Sequence, residues 1–156
     1  MRPFDAYLHA ILTEGEAEAR RDRSATIEAQ HLLLAVAAQE DTAPQRVLAE
    51  AGLGHQAVRA ALDREFEHSL SAVGVSAAFG LPRSSVLPGR RPGMGATGRL
   101  ALERSFASAA RKKDLRPAHV LVGILHAEVG TVPRALALAG VDRAALLSRA
   151  LELINE

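Results

Sequence analysis

Apolar residues recur at helical spacing from the start of the chain. Leu8, Ile11, Leu12, Gly15 and Ala19 fall on one face of a predicted first helix, and the small residues Gly15, Ala17 and Ala19 let a neighbouring helix come close. A second helix, about Ala29 to Gln39, carries Leu32, Leu33, Leu34 and Val36. It is apolar on nearly every side, the pattern of a buried central helix. Thr42 before Ala43-Pro44 is an N-cap signal, and Gly52 is a natural stop for the short helix that follows. A fourth helix, about His55 to Leu70, places Val58, Ala61, Leu62, Phe66 and Leu70 on one face.

The same plan returns near Thr97. Leu100, Ala101, Arg104, Ala107 and Ala109 belong to a helix like the first, and Val120, Leu121, Val122, Ile124 and Leu125 form a second apolar helix. Thr131-Val132-Pro133 opens a short helix that ends at Gly140, and Asp142 caps a last one with Leu146, Leu147, Ala150, Leu151 and Ile154. The likeness is an internal repeat. Gln30-His31-Leu32-Leu33-Leu34-Ala35-Val36 matches Ala118-His119-Val120-Leu121-Val122-Gly123-Ile124, and Arg46–Leu53 matches Arg134–Val141 at the same offset. Chance pairing of apolar helices does not explain histidine, arginine and glycine recurring at one interval. The expected fold is all-α, eight helices in two four-helix repeats, forming one domain over residues 1–156. Repeat one covers about 4–70, a linker about 71–98, and repeat two about 99–156.

The linker is rich in glycine and proline, and its charges are Arg83, Arg90 and Arg91 with no acid among them. It is expected to be a mobile basic segment, with those arginines as its contact residues. Its apolar part, Val73–Leu81, is a candidate for docking across the groove between repeats, where it would compete with a partner; deleting residues 76–93 should then strengthen partner binding.

Composition narrows the chemistry. The chain of 156 residues has 19 Lys+Arg against 18 Asp+Glu and no cysteine, and aromatics make up only 3%. The charge balance speaks against nucleic acid or an anionic membrane as partner, and the lack of thiols excludes disulfides and cysteine metal sites. No apolar run reaches membrane-spanning length and no h-region is visible, so the expected location is cytoplasmic. His119 and His126 stand two helical turns apart, but a third metal ligand is missing. His31 and His119, equivalent in the repeat, are read as structural, each bonding a carbonyl of the other unit. Glu16 pairs with Arg20 on an exposed face, and no Gly-x-Ser-x-Gly elbow or P-loop is present. No enzyme activity, metal or cofactor is expected.

The helix starts Glu28–Val36 and Arg116–Ile124, with the later elements ending Ala51-Gly52-Leu53 and Ala139-Gly140-Val141, resemble the N-terminal (Clp repeat) domain of Clp-type AAA+ unfoldases. The resemblance implies two four-helix units packed by pseudo-twofold symmetry and a non-enzymatic, protein-binding module, free-standing here without the motor. It implies client or adaptor proteins and a Clp ATPase as partners, in a substrate-recognition or adaptor-like role. The implied contacts lie around Phe4, Gln30, Arg116 and Ala118. A second implication is a small-molecule sink for cyclic-peptide antibiotics that target the homologous domain, with Phe4 and Tyr7 as the apolar contacts. Members that bind phosphoarginine hold the guanidinium with a glutamate before each signature histidine. Gln30 and Ala118 stand there instead, so phosphoarginine should bind weakly.

Overall fold

A computed structural model describes residues 2–74 and 90–155. The first unit comprises α1 (Pro3–Arg21), a two-residue strand β1 (Thr26–Ile27), α2 (Ala29–Ala38), α3 (Ala43–Glu50) and α4 (His55–Ala72). The second comprises β2 (Gly93–Met94), α5 (Ala96–Ala107), α6 (Pro117–Leu125), α7 (Thr131–Leu138) and α8 (Arg143–Ile154), with a 3-10 turn at Lys112–Asp114. The fold is all-α, and α2, α3 and α4 recur as α6, α7 and α8 at one constant interval.

Local chemistry sets the boundaries. Pro3 opens α1 with Asp5 in its first turn and Arg20 and Arg21 in its last, signs that suit the helix dipole. Thr42 accepts from the Gln45 N–H at the start of α3, and Asp142 from the Ala145 N–H at the start of α8. Both short helices end alike. Gly52 and Gly140 adopt φ of +78° and +74°, which glycine reaches without strain. The next residue then donates back to an orphan carbonyl, Leu53 to Leu48 at 2.8 Å and Val141 to Leu136 at 2.9 Å.

Core burial centres on α2 and α6, where Leu32–Val36 and Val120–Leu125 are almost fully removed from water. Burying each leucine, isoleucine or valine among them contributes roughly 1.5–3 kcal/mol. Helix α1 lies on α2 at Gly15, whose neighbours are Leu32 and Ile27. The units meet where α2 touches α5 and α6, α4 touches α7, and α3 touches α8.

The linker ends earlier than its composition suggests. Gly93–Met94 pairs in parallel with Thr26–Ile27, with Gly93 donating to Ala25 and Gly95 to Ile27. Arg91 holds Glu16 through two bonds of 2.8 and 3.0 Å, and Arg90 is exposed. Residues 90–95 are therefore fastened to the first unit rather than loose. Arg83 and most of the Val73–Leu81 segment lie outside the described residues.

Candidate functional site

The site begins at the first turn of α2. The Glu28 N–H donates to His31 Nδ1 at 2.9 Å, so that nitrogen is the acceptor and the ring proton sits on Nε2. Nε2 donates to Asp22 Oδ2 at 3.0 Å. Asp22 Oδ1 accepts from Arg59 at 2.7 Å, and Arg59 also bonds the fully buried Glu18. Glu18 takes further bonds from His55 Nε2 at 2.7 Å and Arg21 at 3.1 Å. Burial pushes the Glu18 carboxyl up, but His55 and Arg59 outweigh it and hold it below the usual carboxylate range. This network ties α1 and α4 to the start of α2, the turn that carries Gln30.

His119 makes the same bond in the second unit, accepting from the Arg116 N–H at 2.9 Å. Both histidines are structural, but each caps its own helix. The expected bond to a carbonyl of the other unit is not formed by His31, whose Nδ1 accepts from the Glu28 N–H and whose Nε2 donates to Asp22 of its own unit. His126 is exposed beyond the end of α6 while His119 is buried, so the two do not share a face.

Gln30 opens onto a cleft of about 100 Å³ between the units. The first turn of α2, α5, the end of α6, residues 127–130 and the first turn of α7 form its walls. Leu100 is 43% and Val129 86% exposed there, large apolar surfaces left in water. A polar depression of about 160 Å³, lined by Asp22, Ser24, His31 and Glu65, adjoins it and shares Gln30 and Thr131. The side chains of Gln30, Thr131 and Arg104 form no hydrogen bond or ion pair among the described residues. The arrangement offers an apolar floor with amide and hydroxyl groups free to bond a peptide backbone.

Other sequence-derived candidates lie elsewhere. Phe4 is buried, packed edge-on against Phe106 at 6.4 Å between ring centres. Tyr7 is buried with its hydroxyl unpartnered among the described residues, and burial pushes its pKa up. Ala118 is inside α6, and Arg116 is exposed where its backbone meets His119. Only Gln30 of this set lines the cleft. Sequence reasoning passed over Leu100, Arg104, Val129 and Thr131. The usable signal was Val129, an apolar residue between Glu128 and Gly130 where no core-facing periodicity requires one. Ligand atoms of Glu14, Glu18 and His55 gather within 4.8 Å, but Glu18 is already engaged by arginines and His55, an ion-pair network rather than an open cation site. No helix among the described residues is long and apolar enough to cross a membrane.

Known proteins place this architecture. The N-terminal domain of the caseinolytic protease associated chaperone ClpD from Arabidopsis thaliana superposes with a TM-score of 0.68 at 17% identity, over 96% of this chain and 93% of that one. The Hsp104 N-terminal domain from Candida albicans follows with a TM-score of 0.60 at 14% identity, over 94% and 87%. These likenesses span both units and establish the fold. No curated protein matches the chain. The family model for the Clp repeat (R) N-terminal domain matches residues 3–85, more than half of the sequence and the whole of the first unit. With the repeated helix starts and the two-unit fold, that match shows that the chain belongs to the Clp repeat N-terminal domain family.

Proposed function

We propose that the chain is a non-enzymatic binding module for client or adaptor proteins in Clp-dependent quality control, and that extended protein segments lie in the cleft between its units. The observation that carries this reading is Leu100 and Val129 exposed beside Gln30 and Thr131, whose polar groups have no partner among the described residues. An apolar surface held open next to free backbone-bonding groups suits an unfolded segment better than a rigid small solute. Family membership supports the binding role. The sink for cyclic peptides rested on Phe4 and Tyr7 as contacts. Both are core residues, so loss of ligand on Phe4→Ala would report unfolding as readily as a lost contact.

The test uses a permanently unfolded model client, reduced and carboxymethylated α-lactalbumin, with binding read by fluorescence anisotropy. Leu100→Asp with Val129→Asp should weaken binding at least about tenfold, since each apolar side chain contributes roughly 1.5–3 kcal/mol on burial and about 1.4 kcal/mol is tenfold. Both sites are exposed, so folding should be kept. Equal affinity of the double variant and the parent would end this reading.

A further inference from the structure

Arginine burial is uneven in this molecule. Arg59, Arg104 and Arg143 are the half-buried arginines among the described residues. Arg59 is held by Asp22 and Glu18, and Arg143 by the Leu125 carbonyl. Arg104 has no ion pair or hydrogen bond among the described residues, yet it stands in the wall of the cleft. A guanidinium partly withdrawn from water keeps donors that solvent satisfies poorly, and a carboxylate meets them with paired, charge-assisted bonds.

Two further observations define the ligand. Among the described residues, the only other charged one lining the cleft is Glu128, which is exposed and so well solvated. Its repulsion of an incoming carboxylate is screened more than the attraction of Arg104. Arg104 and Glu128 also line a shallow depression that continues past the cleft to Ala107, Ser108 and His126. A bound chain can therefore run on beyond Arg104, which points to an acidic side chain rather than a chain terminus.

We infer that the cleft selects segments in which an aspartate or glutamate stands beside apolar residues, the carboxylate meeting Arg104 while its neighbours cover Leu100 and Val129. This rests on the cleft being the protein-binding site.

Three fluorescent nonapeptides, blocked at both ends and rich in leucine, test it; they differ at one central position, Glu, Gln or Lys. Anisotropy titrations of the parent protein should show the Glu peptide binding about five- to tenfold tighter than the Gln peptide, with Lys weakest. The margin should shrink with added salt and widen in Glu128→Gln. In Arg104→Gln the Glu and Gln peptides should bind alike. Equal binding of the Glu and Gln peptides to the parent, or a margin that survives Arg104→Gln, overturns the acidic preference and leaves the cleft reading standing. Failure of all three peptides to bind overturns both.

Discussion

His119 shows how one side chain couples the repeat to pH. Its ring must be neutral at Nδ1 to accept the Arg116 N–H, and the ring is buried. Burial disfavours the imidazolium and moves the pKa below the ordinary histidine value. An unfolded histidine titrates near about 6.5. The folded state thus takes up its proton only at lower pH than the unfolded state does. The stability linked to the neutral ring is complete above about pH 6.5 and is lost as the pH falls from there towards the lowered folded value. Thermal melts between pH 8 and pH 5 should fall away below about 6.5 in the parent protein. In His119→Gln an amide oxygen can take the same N–H, and that part of the decline should vanish, against a loss of about 1 kcal/mol at pH 7.5 for poorer cap geometry. Identical pH profiles for the two proteins would show that His119 is not the titrating group. The structural role of His31 and His119 was legible in the sequence because they recur at equivalent helix starts. The partner of each ring was not, since accepting from one's own helix start depends on backbone geometry that residue type does not encode.

At the level of elements, the sequence exposed the helices and the repeat but not how each unit lets its first two helices touch. In the first unit the close approach is made by Gly15 on α1, which faces Leu32 and the His31 carbonyl of α2. In the second unit the glycine moves to the other partner. Ala101 and Ser105 stand on α5, and α6 supplies Gly123 at the position repeat-equivalent to Ala35. The two glycines should answer very differently to alanine. A Cβ on Gly15 would lie 3.3 Å from a Leu32 methyl, a side-chain tip that can give way, and alanine gains about 1 kcal/mol of helix propensity. A Cβ on Gly123 would lie 2.3 Å from the Ala101 carbonyl oxygen and 2.7 Å from the Ser105 nitrogen, both backbone atoms. Gly15→Ala should therefore be neutral or slightly stabilising, while Gly123→Ala should lose about 3 kcal/mol despite the same propensity gain. Urea denaturation followed by circular dichroism separates the two, and comparable losses would refute the close approach of α5 to α6. The β1–β2 pairing was also illegible, because two residues on each side carry no periodicity and the contact joins segments far apart in sequence. The cleft was half legible: Gln30 stood out in the repeat, whereas Arg104 and Thr131 acquire meaning only when α5 and α7 are brought beside α2.

Across the whole molecule, polar staples at the junction between units supplement the apolar contacts. Arg134 of α7 reaches the buried Glu65 of α4 at 3.0 Å, and Arg149 of α8 bonds Glu50 of α3. The most connected staple is Glu28, which accepts from the Thr97 hydroxyl at 2.7 Å, the Thr97 N–H at 3.1 Å and the Thr26 hydroxyl at 2.5 Å. Partial burial raises the Glu28 carboxyl, and these bonds outweigh it, leaving its pKa below the ordinary value. The Thr97 hydroxyl also accepts from the Ala29 N–H at 2.9 Å, so one side chain of α5 serves both the cap residue and the first residue of α2. Thr97→Val keeps the shape and removes the hydroxyl. It strands the buried Ala29 N–H and takes one donor from Glu28, which should cost about 2 kcal/mol. The units share the surfaces of α2, α5 and α6, so the weakened protein should still unfold in a single calorimetric transition at lower temperature. Two separated transitions in Thr97→Val would mean that each unit holds its own core and that the staple, not shared apolar packing, joins them. In that event the cleft would be a gap between independent bodies rather than a preformed site, and its affinity for an unfolded client should fall with the same substitution.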